Sequence, residues 1–184
     1  MFDVDNLVAE AKAAVAETEP RRAVRELLER TMAKPGEVGE ALQPRRGGLD
    51  LLYVSDDLTV LHAVWAPGMR LFPHDHQMWA NIGIYAGQED NTFYRRAEQD
   101  RHMVHEAGGK ELRVGDVLTL GTDAIHAVTN PLDKLTAAIH IYGGDFVNNE
   151  RSQWGPGPLE ERPYDMETVN RQFAEANEKA GLTE

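Results

Sequence analysis

The sequence contains no cysteine. This absence excludes a disulfide framework, a thiolate zinc site and a cysteine nucleophile together. Any metal must therefore bind through histidine, aspartate or glutamate.

Long apolar runs and a surplus of positive charge are also missing. No apolar run approaches the roughly 20 residues that a membrane helix needs, and the N-terminal stretch MFDVDNLVAEAK begins acidic. Asp and Glu outnumber Lys and Arg by 31 to 19, and the formal net charge of −12 would repel a nucleic-acid backbone. We therefore expect a cytoplasmic protein that binds neither membranes nor nucleic acids.

The residues that are present describe an ordinary globular chain. Its 184 residues are 41% hydrophobic and 27% charged, which is typical of one soluble domain. We expect a single domain over residues 1–184. Within it, we predict a helical N-terminal extension (1–48), a β-barrel core (49–145) and a C-terminal tail with a helix (146–184).

The periodicity of apolar residues changes along the chain. Residues 2–17 show helical spacing, a second helix should start near Pro20, and residues 165–179 form a polar helix. Residues 33–48 are richer in Pro and Gly and predict a loop. From residue 49 to about 143, short β-rich runs alternate with turn residues, which is typical of an all-β sandwich or barrel.

Two of the seven histidines stand in the segment Pro73-His74-Asp75-His76. Residues two apart on a strand point to the same face, so His74 and His76 can present both imidazoles to one ion while Asp75 faces away. An exposed, incidental pair is the alternative. Gly68 and Gly87 flank the pair at the spacing of the first cupin motif, which favours the metal site.

A third histidine, His126, lies between Gly115 and Asn130 at the spacing of the second cupin motif. Gly121 and Asp123 replace the usual Pro and Gly of that motif. The two motifs together resemble those of a cupin, a mainly β jelly-roll barrel also called a double-stranded β-helix. His126 would then arrive from the opposite strand of the barrel and complete a face of three histidines.

In the first cupin motif, three or four residues usually separate the second histidine from a glutamate ligand, but Ala80 and Asn81 stand at those places. An ion held by three neutral imidazoles keeps its full positive charge, which favours an anionic added ligand such as a thiolate or an enolate. Imidazoles suit several divalent metals. We expect iron(II), with zinc, nickel or manganese as alternatives.

The segments GMRLFPHDHQMWANIGIYAG and GDVLTLGTDAIHAVTN resemble the thiol dioxygenases, the cysteine dioxygenase-like branch of the cupins. They are most similar to a sub-branch described as predicted metal-dependent enzymes of the double-stranded β-helix superfamily. The resemblance spans residues 68–142. It implies iron(II) on His74, His76 and His126, a substrate thiol bound to the metal, and transfer of both atoms of dioxygen to sulfur.

The same family carries a Ser-His-Tyr relay on a late strand, and Ala138, His140 and Tyr142 stand in that register. The resemblance therefore implies catalytic roles for His140 and Tyr142, in a relay shortened by the loss of serine. Alternatively, the two side chains are ordinary core residues that only hydrogen-bond to each other.

Substrate-binding residues are predicted from strand parity and from the family pattern. The family binds the substrate carboxylate with an arginine, whose guanidinium matches a carboxylate in two hydrogen bonds. Arg70 is one candidate, because it shares strand parity with His74 and His76. Tyr94 and Arg96 are two more, because they share parity with each other on the following strand. Asn81, which replaces a crosslinking cysteine of the mammalian-type enzymes, is a further candidate. Alternatively, the arginines are solvent-exposed residues at the rim of the barrel and bind no substrate.

We therefore expect a non-heme iron(II) dioxygenase that oxidises a small thiol to a sulfinate, with dioxygen as co-substrate. Three alternatives use the same barrel: a dioxygenase that cleaves an enolisable, β-diketone-like substrate, a redox-inert metal lyase or isomerase, and a non-catalytic ligand-binding cupin. A homodimer is compatible with the sequence.

Overall fold

The strands of the computed structural model, which describes residues 1–182, pair into two antiparallel sheets. The first sheet has the strand order β1-β2-β9-β4-β7 and the second has the order β11-β10-β3-β8-β5-β6. The strands are β1 (Gly48–Val54), β2 (Thr59–Trp65), β3 (Arg70–Asp75), β4 (Ala80–Ala86), β5 (Gln88–Arg96), β6 (Val104–Arg113), β7 (Val117–Leu120), β8 (Ile125–Thr129), β9 (Thr136–Tyr142), β10 (Ser152–Trp154) and β11 (Glu161–Pro163). Apart from the hairpins β1–β2, β5–β6 and β10–β11, successive strands alternate between the two sheets, which confirms the predicted mainly β double-stranded β-helix.

The central strands of the first sheet are buried on both faces. Every residue of β2 and β9 is buried, because one face lines the barrel and the other lies under helices. Leu61 and Ala138 belong to the cluster inside the barrel, whereas Val60 and Ile139 pack among helical residues outside it. The alternation along each strand therefore separates the site-facing side chains from those that anchor the helices.

Three helices cover the outside of the first sheet: α1 (Val4–Val15), α2 (Pro20–Met32) and α3 (Pro35–Leu42). The first two lie where the periodicity predicted them. The predicted loop over residues 33–48 is wrong for α3, where Pro35 occupies the first helical turn, Val38 is buried, and Gln43 ends the helix in a left-handed conformation. Burial of one apolar residue against the sheet stabilises a short helix that its composition did not reveal.

The C-terminal region continues the second sheet beyond the predicted core of residues 49–145. Strand β10 pairs with β3, where Gln153 lies opposite His74, and β11 pairs with β10. The last helix, α4 (Met166–Lys179), lies where a polar helix was predicted and is capped by Asp165, and it stacks Phe173 on Trp65 with ring centroids 5.4 Å apart. The tail therefore forms one wall around the predicted metal site.

No helix within residues 1–182 is both long enough and apolar enough to cross a membrane.

Candidate metal centre

His74, His76 and His126 converge inside the barrel. His74 on β3 lies directly opposite His126 on β8, and His76 follows the end of β3. All three are buried, and one ring nitrogen from each lies within 4.8 Å of the others. Asp75 points away and accepts a hydrogen bond from the backbone N–H of Ser152 at 2.7 Å, as its strand position predicted. His126 comes from the neighbouring strand of the same sheet, not from across the barrel.

The spacing of these nitrogens fits a metal ion. The Nε2 atoms of His76 and His126 lie 3.4 Å apart. Two nitrogens about 2.1 Å from a tetrahedrally coordinated ion would be separated by about 3.4 Å. Burial lowers the pKa of His74 to about 4 and lowers the pKa values of His76 and His126 well below the ordinary value. The imidazoles are therefore neutral, with lone pairs available for a cation.

Hydrogen bonds orient two of the rings. The Nδ1–H of His74 donates to the carbonyl of Phe72 at 3.0 Å, and Nδ1 of His126 lies 2.6 Å from Oδ1 of Asn91. Both contacts leave Nε2 facing the centre of the cluster, as is usual for metal-binding histidines. Nδ1 of His76 is buried and has no hydrogen-bond partner among residues 1–182.

The histidine cluster borders a small cavity of about 20 Å³. This volume is that of about one water molecule, so it accommodates an ion and little else. Its lining includes Trp65, His140, Tyr142 and Phe146, and the last two have ring centroids 5.0 Å and 6.1 Å from that of His76. We call this the metal cavity.

The predicted pair His140 and Tyr142 lies beside the metal cavity. Nδ1 of His140 is 3.0 Å from the Tyr142 hydroxyl, and the rings of Tyr142 and His76 have centroids 5.0 Å apart. Burial raises the pKa of Tyr142, so the hydroxyl stays protonated. The structure thus places His140 and Tyr142 next to the three predicted metal ligands.

Several solved structures are distantly similar to this chain. No protein-family model matches the chain. A cupin superfamily protein from Desulfitobacterium hafniense is similar over 59% of this chain and 88% of its own, with 17% identity and a TM-score of 0.46. An uncharacterised protein with a double-stranded β-helix domain from Klebsiella pneumoniae is similar over 63% of this chain and 87% of its own, with 14% identity and a TM-score of 0.47.

The DMSP lyase DddQ from Ruegeria pomeroyi is also similar, with 19% identity and a TM-score of 0.47 over 61% of this chain. The match spans about half of that lyase, 53% of its length. At these identities and TM-scores, the likenesses transfer no activity to this chain.

Two of the predicted substrate-binding residues, Arg70 and Asn81, lie outside the metal cavity. Arg70 is exposed, because the pairing of β3 with β8 shifts register between Leu71 and His74 and breaks the parity. Asn81 is buried on the opposite face of β4, where its side chain donates to the carbonyl of Arg21 and accepts from Thr119.

Tyr94 and Arg96 also lie outside the metal cavity. Phe93 is the β5 residue opposite His126, so the alternate positions 94 and 96 face away from the barrel interior. Arg96 makes two hydrogen bonds of 2.6 Å to Glu161 and lies over the Trp154 ring. Its guanidinium is therefore already paired with a carboxylate in the structure.

A fully buried carboxylate, Glu89 on β5, lies near the site and was not predicted. It accepts hydrogen bonds from Nε1 of Trp65 at 2.7 Å and Nδ2 of Asn91 at 2.9 Å. One of its oxygens also lies 3.8 Å from Nε2 of His140. The residues typical of a strand begin at Thr92 in the sequence, whereas β5 already starts at Gln88. Extending the alternation back from Phe93 would have placed Asn91 and Glu89 on the interior face.

Arg151, in the tail before β10, is the second unpredicted residue. Its guanidinium lies 4.1 Å from the ring centroid of Phe146 and 4.0 Å from that of Tyr164, two residues that line the metal cavity. Its Nη1 donates to the carbonyls of Phe146 at 2.5 Å and Asn149 at 3.2 Å. Its side chain is 8% exposed, its Nε has no partner, and no carboxylate within residues 1–182 forms an ion pair with it. No local sequence pattern indicates this residue.

A second cavity of about 140 Å³ adjoins the metal cavity, and we call it the apolar pocket. The two share Leu49, Leu61 and Phe146, and Arg151 lies at the wall of the apolar pocket. The ring of Phe146 packs on Tyr142 with centroids 4.5 Å apart. Phe146 therefore borders both spaces.

Proposed function

We propose that this chain is a non-heme iron(II) dioxygenase that oxidises a small anionic thiol to a sulfinate. The observation that carries the proposal is the convergence of three neutral, buried imidazoles beside the His140–Tyr142 pair. Within residues 1–182, no carboxylate belongs to this ligand cluster. His74, His76 and His126 would hold the metal.

Bound iron would supply a positively charged, redox-active centre for a thiolate and dioxygen. In the overall reaction, one thiol and one dioxygen give one sulfinic acid. The sulfur provides all four electrons that reduce dioxygen, and both oxygen atoms remain on sulfur. The reaction needs no external reductant, and a sulfinate leaves as an anion.

His140 and Tyr142 provide a route for the proton of the thiol. When the Tyr142 hydroxyl donates to Nδ1 of His140, its oxygen is free to accept a hydrogen bond from a group in the metal cavity. The pair can then pass a proton from the substrate toward His140, in the manner of a general base.

Arg151 supports an anionic substrate. A buried guanidinium without an acidic partner is costly, and a carboxylate on the substrate would pair with it in two parallel hydrogen bonds. A β-diketone offers no such second anion. The presence of Arg151 beside the site therefore favours the thiol hypothesis over the enolisable substrate.

The sizes of the two cavities support a substrate with an apolar body. The metal cavity of about 20 Å³ is too small for a thiol acid, whereas the apolar pocket of about 140 Å³ lies directly beside it. Rotation of Phe146 would join the two spaces. The substrate we propose has a thiol at the metal, a carboxylate at Arg151 and an apolar carbon skeleton in the apolar pocket.

The anaerobically iron-loaded protein should consume dioxygen when offered such a thiol. The test is an oxygen electrode with cysteine, mercaptopropionate, cysteamine and larger branched or aromatic mercapto acids, followed by mass spectrometry with labelled dioxygen. We expect a sulfinate that carries two labelled atoms, and no uptake with zinc-loaded protein because zinc does not change its oxidation state. Oxygen uptake with a β-diketone and with none of the thiols would contradict the proposal.

The variants Tyr142→Phe and His140→Ala should slow turnover without removing the metal. Loss of the Tyr142 hydroxyl removes one hydrogen bond at the reacting group, and we expect kcat to fall about tenfold. Metal content should stay that of the wild type, because neither residue belongs to the ligand cluster. Steady-state kinetics and metal analysis on the same samples provide the check. Unchanged kcat in both variants would show that His140 and Tyr142 are ordinary core residues without a role in turnover.

A further inference from the structure

We infer that Glu89 is a positioning residue that sets the proton positions of His126 and His140. In this way it leaves one nitrogen of His126 free for the metal and one nitrogen of His140 free for Tyr142. The inference rests on the metal centre of the proposed function, and it adds to that centre a carboxylate that is not a ligand.

Glu89 lies where donors converge on it. The Trp65 and Asn91 side chains both donate to it, and Nε2 of His140 faces it at 3.8 Å. An ionised carboxylate can only accept hydrogen bonds. Burial raises the pKa of Glu89, but the nearby His140 and the hydrogen bonds from Asn91 and Trp65 outweigh burial and hold the pKa below its ordinary value. The carboxylate is thus a fixed acceptor inside the barrel.

The first chain of hydrogen bonds leads to the metal centre. Because Glu89 only accepts, the Asn91 amide must turn its Nδ2 toward it at 2.9 Å, so Oδ1 faces His126. That oxygen only accepts in turn, so Nδ1 of His126, 2.6 Å away, must carry the proton. Neutral His126 then keeps its lone pair on Nε2, the atom that faces His76 at 3.4 Å. The position of one carboxylate thereby makes His126 a metal ligand.

The second chain leads to Tyr142. The negative charge of Glu89 at 3.8 Å favours a proton on Nε2 of His140, which has no other partner among residues 1–182. Nδ1 of neutral His140 is then an acceptor, and the Tyr142 hydroxyl at 3.0 Å donates to it. In the resemblance to thiol dioxygenases, a serine supports this histidine. Here Ala138 occupies the position of that serine, and the supporting group comes from β5 instead.

The two chains share one origin, because Trp65 holds the carboxylate in place. Nε1 of Trp65 donates to Oε2 of Glu89 at 2.7 Å, the same oxygen that faces His140. Outer hydrogen-bond partners of metal ligands change metal affinity by about 10- to 100-fold when they are replaced. Glu89 should have an effect of this size although it does not touch the ion.

Nitrogen NMR of histidine side chains tests the inference on metal-free and zinc-loaded protein. Signals can be assigned with the His126→Ala and His140→Ala variants. In the metal-free wild type we expect His126 to carry its proton on Nδ1 and neutral His140 to carry its proton on Nε2. The variant Glu89→Gln places a donor beside Asn91, so the amide can turn over. We expect a mixed His126 tautomer and a zinc affinity about 10- to 100-fold lower.

Asp50→Asn is the matched control, because the Asp50 carboxylate lies 3.3 Å from Nδ1 of His62, which lines no part of the metal cavity. It should change neither the His126 signals nor the zinc affinity. A metal-free wild type whose His126 carries its proton on Nε2 would overturn the inference, even if Glu89→Gln failed to fold. Wild-type tautomers in Glu89→Gln with unchanged zinc affinity would also overturn it. Both results are independent of dioxygenase activity, whose failure would contradict only the proposed chemistry.

Discussion

Replacing His126 by alanine should leave the protein with almost no bound metal. The wild type should bind about one equivalent, since one ring nitrogen from each of three buried histidines faces a common centre. The variant keeps two imidazoles, and a buried site with two neutral ligands holds a divalent ion poorly. The affinity should fall by more than the roughly 100-fold that the loss of a supporting hydrogen bond costs. Metal analysis after dialysis against a weak chelator measures the change.

His105→Ala is the control for this variant, because His105 is exposed on β6 and is not part of the ligand cluster. His74→Ala should reproduce the loss independently, and thermal melting checks that each variant folds. Full occupancy with unchanged affinity in His126→Ala would show that the second cupin motif was aligned wrongly.

Replacing Arg151 by methionine should selectively weaken the use of thiol acids. The side chain is buried and has no acidic partner within residues 1–182, so a substrate carboxylate would provide its only paired charge. Removing one member of a buried, hydrogen-bonded charge pair costs about 2–4 kcal/mol, which is roughly a 30- to 1,000-fold loss in kcat/KM. Steady-state oxygen uptake with a mercapto acid gives this value.

The comparison substrate is the matching thiol in which an amide replaces the carboxylate. It should react equally slowly with wild type and with Arg151→Met, because no second anion is lost. Arg162→Met is the control variant, since Arg162 is exposed on β11 near Tyr164. An equal loss for both thiols would mean that Arg151 only supports the fold through the Phe146 and Asn149 carbonyls.

The metal cluster could be predicted from the sequence because its spacing is local. His74 and His76 stand two apart at the end of a strand, and each cupin motif carries its histidines within a short segment. The structure places these residues together on paired strands, with His126 directly opposite His74. The register of Ala138, His140 and Tyr142 on one strand was likewise a short-range pattern.

Strand parity failed where the pairing is irregular. A register shift between Leu71 and His74 turns Arg70 outward, and the unrecognised start of β5 concealed which of its faces lines the barrel. A bulge adds one residue to one strand, so residues an even number apart on its two sides face opposite sides of the sheet. Arg70, Tyr94 and Arg96 therefore lie outside the metal cavity, although shared strand parity had made them candidates for substrate binding.

The sequence by itself determined the double-stranded β-helix and the three histidines, because both depend on residue spacing within single strands and turns. Only the tertiary structure decided the charges around them. Glu89 becomes a buried acceptor because Trp65 and Asn91 donate to it. Arg151 is a buried cation under the Phe146 and Tyr164 rings that forms no ion pair with a carboxylate of residues 1–182. Alternation along β5 can place Glu89 on the interior face, but the hydrogen-bond partners and the charge balance depend on residues distant along the chain, which no local pattern encodes.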